Sequence, residues 1–251
     1  MKLPMLTKSE IQHVKSLRTK KFRQKYNQFV VEGEKAVAEL LQSDFIVDEV
    51  YGLEDWKQTH LPLLEQVKYT VLSKKELERI SGFEQPNKVL AVVQLPQTTF
   101  SNDVLEMPLI IALDFIQDPG NLGTIIRTAD WYGVEHILCS TNCVDAYSPK
   151  VINATMGSFA RVKVHYVNLE EVLLPFAKNV YACVMDGESI YNTETTDKAI
   201  VLIGNEGKGI SESLINLAKN KVSIPRKGKA ESLNAAVATA VILDRMGQKH
   251  P

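Results

Sequence analysis

Short β-like runs alternate with helix-like ones along most of this chain, and the alternation breaks once. QFVVEG (28–33) reads as a strand, EKAVAELLQS (34–43) as a helix, and FIVDEVYG (45–52) and KYTVL (68–72) as further strands. SKKELERISG (73–82) has the form of a helix capped by Ser73 and stopped by Gly82, and KVLAVVQ (88–94) is again β-rich. LPQTTFSNDVLEMP (95–108) then shows no period and carries two prolines. The boundary expected here gives a first domain over 1–95, a linker over 96–108 and a second domain over 109–251.

The pattern then restarts more strongly. LIIALD (109–114) is a continuous apolar run of the kind buried on both faces of a parallel sheet. NLGTIIRTADWYG (121–133) reads as a helix ending at a glycine, and HILCS (136–140) as a strand. Strands at RVKVHYV (161–167), VYACVM (180–185), AIVLIG (199–204) and KVSIP (221–225) follow, with a short helix near 169–177. The last element, a helix over 232–246, is apolar nearly all round, which predicts a buried helix. Strands alternating with helices predict an α/β fold, a mostly parallel sheet covered on both faces.

Composition narrows the class. At 251 residues the chain has room for two cores, and its apolar runs fall short of the roughly 20 residues that span a bilayer. The N-terminal MKLPMLTKSEIQHVK lacks the apolar stretch of a secretory signal. Cys139, Cys143 and Cys183 are odd in number and have no metal-like spacing, so buried thiols in a reducing, cytoplasmic setting are expected, without a metal.

Net charge is −1, but its distribution is uneven. The stretch 13–27 carries Lys15, Arg18, Lys20, Lys21, Arg23 and Lys25 without an acid, and 219–229 carries Lys219, Lys221, Arg226, Lys227 and Lys229. Two local basic runs on a near-neutral protein are the footprint of a polyanion binder. Each run alone would also suit a solvated helix face.

Three segments place turn-formers and polar groups just after a buried strand, where α/β sheets bind ligands. In LDFIQDPGNLGTIIRTAD (113–130), Pro119-Gly120 makes a turn, Asn121 is placed to cap the next helix, and Arg127 lies two turns inside it. A surface ion pair of Arg127 with Asp118 or Asp130 is the plain alternative. In LIGNEGKGIS (202–211), a strand runs into Gly204, Gly207 and Gly209, with Glu206 between the first two. The spacing is G-x-x-G-K-G, so neither a P-loop nor the dinucleotide fingerprint is present. In IPRKGKAESLNAAVATAVIL (224–243), a basic loop joins the final helix, with Ser232 the candidate cap and Asn234 beside it.

The ordered set resembles the three signature motifs of the SpoU/TrmH family of RNA ribose 2′-O-methyltransferases, within the SPOUT class. The family's Asn and Arg fall on Asn121 and Arg127, its G-x-E-G turn on Gly204-Asn205-Glu206-Gly207, and its Ser-Leu-Asn on Ser232-Leu233-Asn234. Thr124 and Tyr132 stand where an alanine and a phenylalanine are common. Residues 3–95 resemble the family's accessory substrate-binding module more loosely.

The resemblance implies S-adenosylmethionine as cofactor, a C-terminal trefoil knot, a homodimer, and structured RNA as substrate, ribosomal RNA before transfer RNA. It implies a cofactor pocket formed by Gly204, Asn205, Glu206, Gly207, Ile224, Leu233 and Asn234. It implies a catalytic set of Asn121, Arg127, Glu206, Ser232 and Asn234, with Glu206 orienting Asn121 or Ser232 or accepting backbone bonds. RNA contacts are expected from Arg18, Lys20, Lys21, Arg23, Lys25, Arg127 and Arg226. A silent RNA-binding relative would have lost Arg127 or Asn234, and both are present. A conventional nucleotide-dependent oxidoreductase or NTPase would need a phosphate loop after the first strand of the second half, where DPGNLG stands instead.

Overall fold

A computed structural model describes residues 6–97, 99–194 and 196–247. The chain forms two compact units, one of residues up to Gln97 joined by Asp145–Ala160, the other of Thr98–Val144 and the residues from Arg161 onward.

The first unit contains α1 (Lys8–Ser16), α2 (Lys20–Tyr26), β1 (Gln28–Glu32), α3 (Glu34–Leu40), β2 (Val47–Gly52), α4 (Glu54–Thr59), β3 (Tyr69–Val71), α5 (Lys74–Ile80) and β4 (Val89–Gln94). Its four-stranded sheet runs β1-β4-β2-β3. β4 is antiparallel to both neighbours, and β2 pairs with β3 in parallel. Central β4 is apolar at alternate and intervening positions because both faces are covered. Val89, Ala91 and Val93 join one core with Phe29, Val37 and Trp56, while Leu90 and Val92 join another with Leu17, Leu77 and Ile80. Ser73 caps α5 in a reciprocal box with Glu76, as its sequence predicts.

The second unit is built on β5 (Leu109–Leu113), α6 (Pro119–Trp131) and β6 (His136–Ser140). The chain then contributes α7 (Pro149–Thr155) to the first unit before returning as β7 (Lys163–Val167), α8 (Leu169–Leu173), β8 (Val180–Ser189), β9 (Ala199–Ile203), α9 (Glu212–Leu217), β10 (Asn220–Ser223) and α10 (Ala235–Gly247). The six strands run β10-β8-β9-β5-β6-β7, and every pairing between neighbours is parallel. β5 and β9 lie at the centre, and all five residues of each are buried. Among the described residues no helix is long and apolar enough to cross a membrane.

Several sequence expectations change in the structure. The division at 96–108 assigns 145–160 to the second domain, yet Ile152 and Phe159 pack in the first unit's core, and Tyr147 lies 4.9 Å from the Phe29 ring. Asp145 explains a second difference. Its carboxylate takes the Arg23 guanidinium (Nη2 2.5 Å, Nε 3.2 Å), which also donates to the carbonyls of Leu17 and Arg18. Arg23 is only 3% exposed, so it is a buried, paired cation and not an RNA contact. The final helix is not buried all round: Ala235, Ala236, Thr239, Ile242, Leu243 and Met246 face inward, while Val237 is half exposed. The expected linker carries a 3₁₀ turn, Asn102–Glu106, whose Val104 and Leu105 join the second unit's core.

Candidate active site

The site forms where β9 ends. Gly204 is required there because a Cβ would collide with the backbone of Gly209 and Ile210. The chain folds back on itself through paired backbone bonds between Asn205 and Gly209 (3.0 and 2.8 Å), with Gly209 at φ +71°. Asn205 is spent on holding this turn. Its Oδ1 accepts from the N–H groups of Gly207 and Lys208, and its Nδ2 donates to the Phe115 carbonyl at 3.1 Å. Phe115 itself sits at φ +60°, its N–H donating to Ser140 Oγ and its ring lying 4.5 Å beneath Lys208 Nζ. The turn after β5 and the turn after β9 therefore brace each other.

This bracing presents Glu206 to the start of two helices. Glu206 Oε1 accepts from Asn121 Nδ2 (2.8 Å), Asn234 Nδ2 (2.6 Å) and the Ala235 backbone N–H (3.1 Å). Asn234 Nδ2 also donates to Asn121 Oδ1 at 2.8 Å, closing a triangle of side chains drawn from the three motif segments. Acidic charge at the first turn of α10 is favoured by the unpaired N–H groups there.

Two caps differ from expectation, and each difference supports the triangle. Asp118, not Asn121, caps α6, accepting from the Asn121 N–H at 2.8 Å with Pro119 as the first helical residue. Asn121 then lies inside the helix with its amide free for Glu206. Asn234, not Ser232, caps α10, its Oδ1 accepting from the N–H groups of Ala236 and Val237. Ser232 is exposed and makes no hydrogen bond among the described residues.

Beside the triangle lies a cavity of about 500 Å³ whose walls include Gly204, Asn205, Glu206, Ile224, Ser232 and Leu233. Arg226 also borders it, with Nη1 donating to the Ala230 carbonyl. Gly207 belongs to the supporting turn. Another wall comes from Cys183, Val184 and Met185 of β8, residues that sequence reasoning missed because a strand segment of Cys, Val and Met has no chemical signature. Burial pushes the Cys183 thiol up. Phe115 and Lys208 were also missed, although their places inside DFIQDPG and NEGKG offered a signal.

Arg127 stands apart. It is exposed on α6, outside the cavity lining, without an ion-pair partner among the described residues. Its two candidate partners are taken, Asp130 by the fork of Arg161 (2.9 and 2.8 Å) and Asp118 by the cap. Trp131, one turn further on, is 84% exposed. In the first unit Lys20, Lys21 and Lys25 are exposed, while Arg18 is half-buried and donates to the Ile80 carbonyl.

The chain is similar to known proteins. Residues 108–244 match the SpoU rRNA Methylase family, and residues 8–91 match the MRM3-like substrate binding domain. The 23S rRNA (guanosine(2553)-2′-O)-methyltransferase RlmP of Bacillus subtilis is 31% identical over 235 residues, 91% of this chain and 92% of that protein. A structure from Porphyromonas gingivalis assigned to the TrmH family of RNA methyltransferases is 33% identical, with TM-score 0.86 over 97% of this chain and 98% of its own. An AdoMet-bound rRNA methyltransferase from Sinorhizobium meliloti is 25% identical, with TM-score 0.85 over 98% of this chain and 97% of its own. With its three motif segments joined around Glu206 and most of its second half matched, the chain belongs to the SpoU rRNA methylase family.

Proposed function

We propose that this protein methylates a ribose 2′-hydroxyl in structured RNA, ribosomal RNA before transfer RNA, using S-adenosylmethionine. The observation that carries this reading is the closed triangle of Asn121, Glu206 and Asn234 at the lip of a glycine-walled cavity. The cavity fits the cofactor. Its volume lies within the range of about 300–1,000 Å³ typical of small-molecule sites, its walls are mainly apolar, and the missing Cβ of Gly204 lets the framing turn close against Gly209 and Ile210. Gly204, Ile224 and Leu233 would hold the group, and Glu206 and Asn234 would set its edge. When bound, S-adenosylmethionine supplies an activated methyl group on a sulfonium, so no metal is needed.

What remains for the protein is alignment of the hydroxyl and control of charge. Glu206 keeps Asn121 and Asn234 in one geometry, while Ser232, exposed and unbonded, is left for the nucleotide. Arg127 is assigned to the target phosphate. A guanidinium donates from a fixed fork and has no lone pair to accept a proton, so a bidentate clamp suits it better than the role of base. Lys20, Lys21 and Lys25 of α2 and Arg226 beside the cavity are assigned to further RNA phosphates.

The exposed rings and methyls of Trp131 on α6 and Val237 on α10 support a homodimer through these packed helices. The family's trefoil knot is assigned to the 203–235 stretch. Free thiols at Cys139, Cys143 and Cys183 suit a reducing cytoplasm.

The reading is tested by calorimetry and by RNA mapping. Binding of S-adenosylmethionine, with none of ATP or NAD, is expected. So is the loss of one 2′-O-methyl site in total RNA when the gene is deleted. Binding of ATP or NAD alone, or an unchanged methylation map, would overturn it.

A further inference from the structure

A second cavity, of about 600 Å³, opens beyond the carboxyl ends of β5, β6 and β7. It shares Lys208 and Gly209 with the first, so the Gly204–Ser211 turn is the partition between the two. None of the three motif triangle residues lines it. Val167 and Leu214 give it an apolar floor, and Asp114, Asn142, Asn168 and Lys208 give it polar edges.

Three of those groups keep polar atoms without a protein partner among the described residues. Asn168 occupies the N-cap position of α8 yet makes no capping bond, and Asn142 makes no side-chain hydrogen bond among the described residues. Asp114 is 8% exposed, and one of its carboxylate oxygens accepts from the Ser211 N–H at 2.8 Å while the other has no partner among the described residues. Two free amides and a carboxylate oxygen form a donor and acceptor array, the kind of surface that reads a base edge. The charge balance points the same way. Asp114 and Glu170 against the single Lys208 disfavour a phosphate in this crevice.

Resting on the methyl-transfer reading above, we propose that this crevice receives the base of the target nucleotide. The base is one glycosidic bond from the reacting ribose, so it must lodge next to the cofactor cavity, and this crevice adjoins that cavity through the shared Lys208 and Gly209. RNA enzymes and binders read such unstacked bases on their exposed edges. Asp114 favours a base with an exocyclic amino group, as in guanine, adenine or cytosine, over uracil.

The test uses the full-length protein with 5′-GMP, 5′-AMP, 5′-CMP and 5′-UMP as probes, read on the ¹⁵N side-chain amides of Asn142 and Asn168. The three amino-bearing nucleotides are expected to shift these amides more strongly than 5′-UMP. In parallel, the Asn142→Ala/Asn168→Ala double variant is expected to lose about tenfold or more in kcat/KM on rRNA from gene-deleted cells. Its S-adenosylmethionine affinity should stay within about twofold of wild type, because neither residue touches the cofactor cavity. No nucleotide shift at these amides, or an equally active double variant, overturns the crevice while leaving methyl transfer standing. Equal shifts from all four nucleotides overturn the amino preference. Shifts in a protein that neither binds S-adenosylmethionine nor transfers methyl groups would support the crevice and overturn the methyl-transfer reading.

Discussion

Glu206 and Arg127 are both charged, both exposed, and both drawn from the motif segments, yet the fold treats them in opposite ways. Three N–H donors converge on one oxygen of Glu206, two from side chains and one from the start of α10. Arg127, six residues beyond Asn121 on the same helix, has no hydrogen-bond or ion-pair partner among the described residues, and Asp130 and Asp118 are occupied by Arg161 and by a helix cap. A group that gathers three protein donors serves architecture. A group held free of every internal partner is available to substrate. The methyl-transfer account depends on that difference, and substitutions can break it from either side.

The largest effect is expected at Arg127. Arg127→Ala should lower kcat about a thousandfold, the scale of removing one preorganised donor beside the reacting centre, with S-adenosylmethionine affinity and melting temperature unchanged. Arg127→Lys keeps charge and loses the fork, so a clamp predicts a similarly severe loss at neutral pH. Near-full turnover in the lysine variant would sink the clamp.

Gly204→Ala comes next, because a methyl group there collides with backbone, which cannot swing aside. A loss of at least about tenfold in cofactor affinity and about 2 kcal/mol in stability is expected, measured by calorimetry and urea melts. A variant that melts and binds like wild type would show that the turn is looser than its hydrogen bonds imply.

Glu206→Gln sharpens the comparison further. The amide preserves shape and one acceptor but gives up the charge that three donors share, so kcat/KM should fall about ten- to hundredfold. Cofactor affinity and kcat should fall together, unlike Arg127→Ala, where only turnover falls. Identical kinetic signatures for the two variants would erase the distinction drawn between them.

The smallest effect lies elsewhere in the same sheet. His136 and His165 are buried and share a hydrogen bond of 3.0 Å between Nδ1 and Nε2. Burial, with the neighbouring His136 and Lys163, holds His165 down from 6.5 to about 4. The folded chain therefore keeps it neutral while the unfolded chain takes up a proton below about pH 6.5. Stability is full above that pH and declines as pH falls toward 4, by about 3 kcal/mol. Denaturation in urea at pH 7 and pH 4.5 measures the decline, which His165→Gln should reduce.

Most strands were legible in the sequence because buried parallel strands are continuous apolar runs, and β5, β6 and β9 lie within a residue of their expected bounds. The short helices α1, α2, α4, α7 and α9 were not. At six to nine residues they are too short to display a clear apolar stripe. The burial of Arg23 was beyond reach for another reason, since its partner Asp145 is 122 positions away. At the site, the identity of the motif residues was legible and their division of labour was not. Asp118-Pro119 is a cap followed by a first-position proline, a signal that could have reassigned the α6 cap and released Asn121 for Glu206. Nothing comparable in Ser232-Leu233-Asn234 distinguishes the residue that caps from the one left free, because both types are good caps.

The central claim is tested most directly by giving the purified protein radiolabelled S-adenosylmethionine and ribosomal RNA from gene-deleted cells, then hydrolysing the RNA in alkali. A 2′-O-methyl group blocks cleavage at its own nucleotide. The account predicts label in a single alkali-resistant dinucleotide, present with wild type and lost with Arg127→Ala. Label released as a mononucleotide, which marks a methylated base, would contradict it.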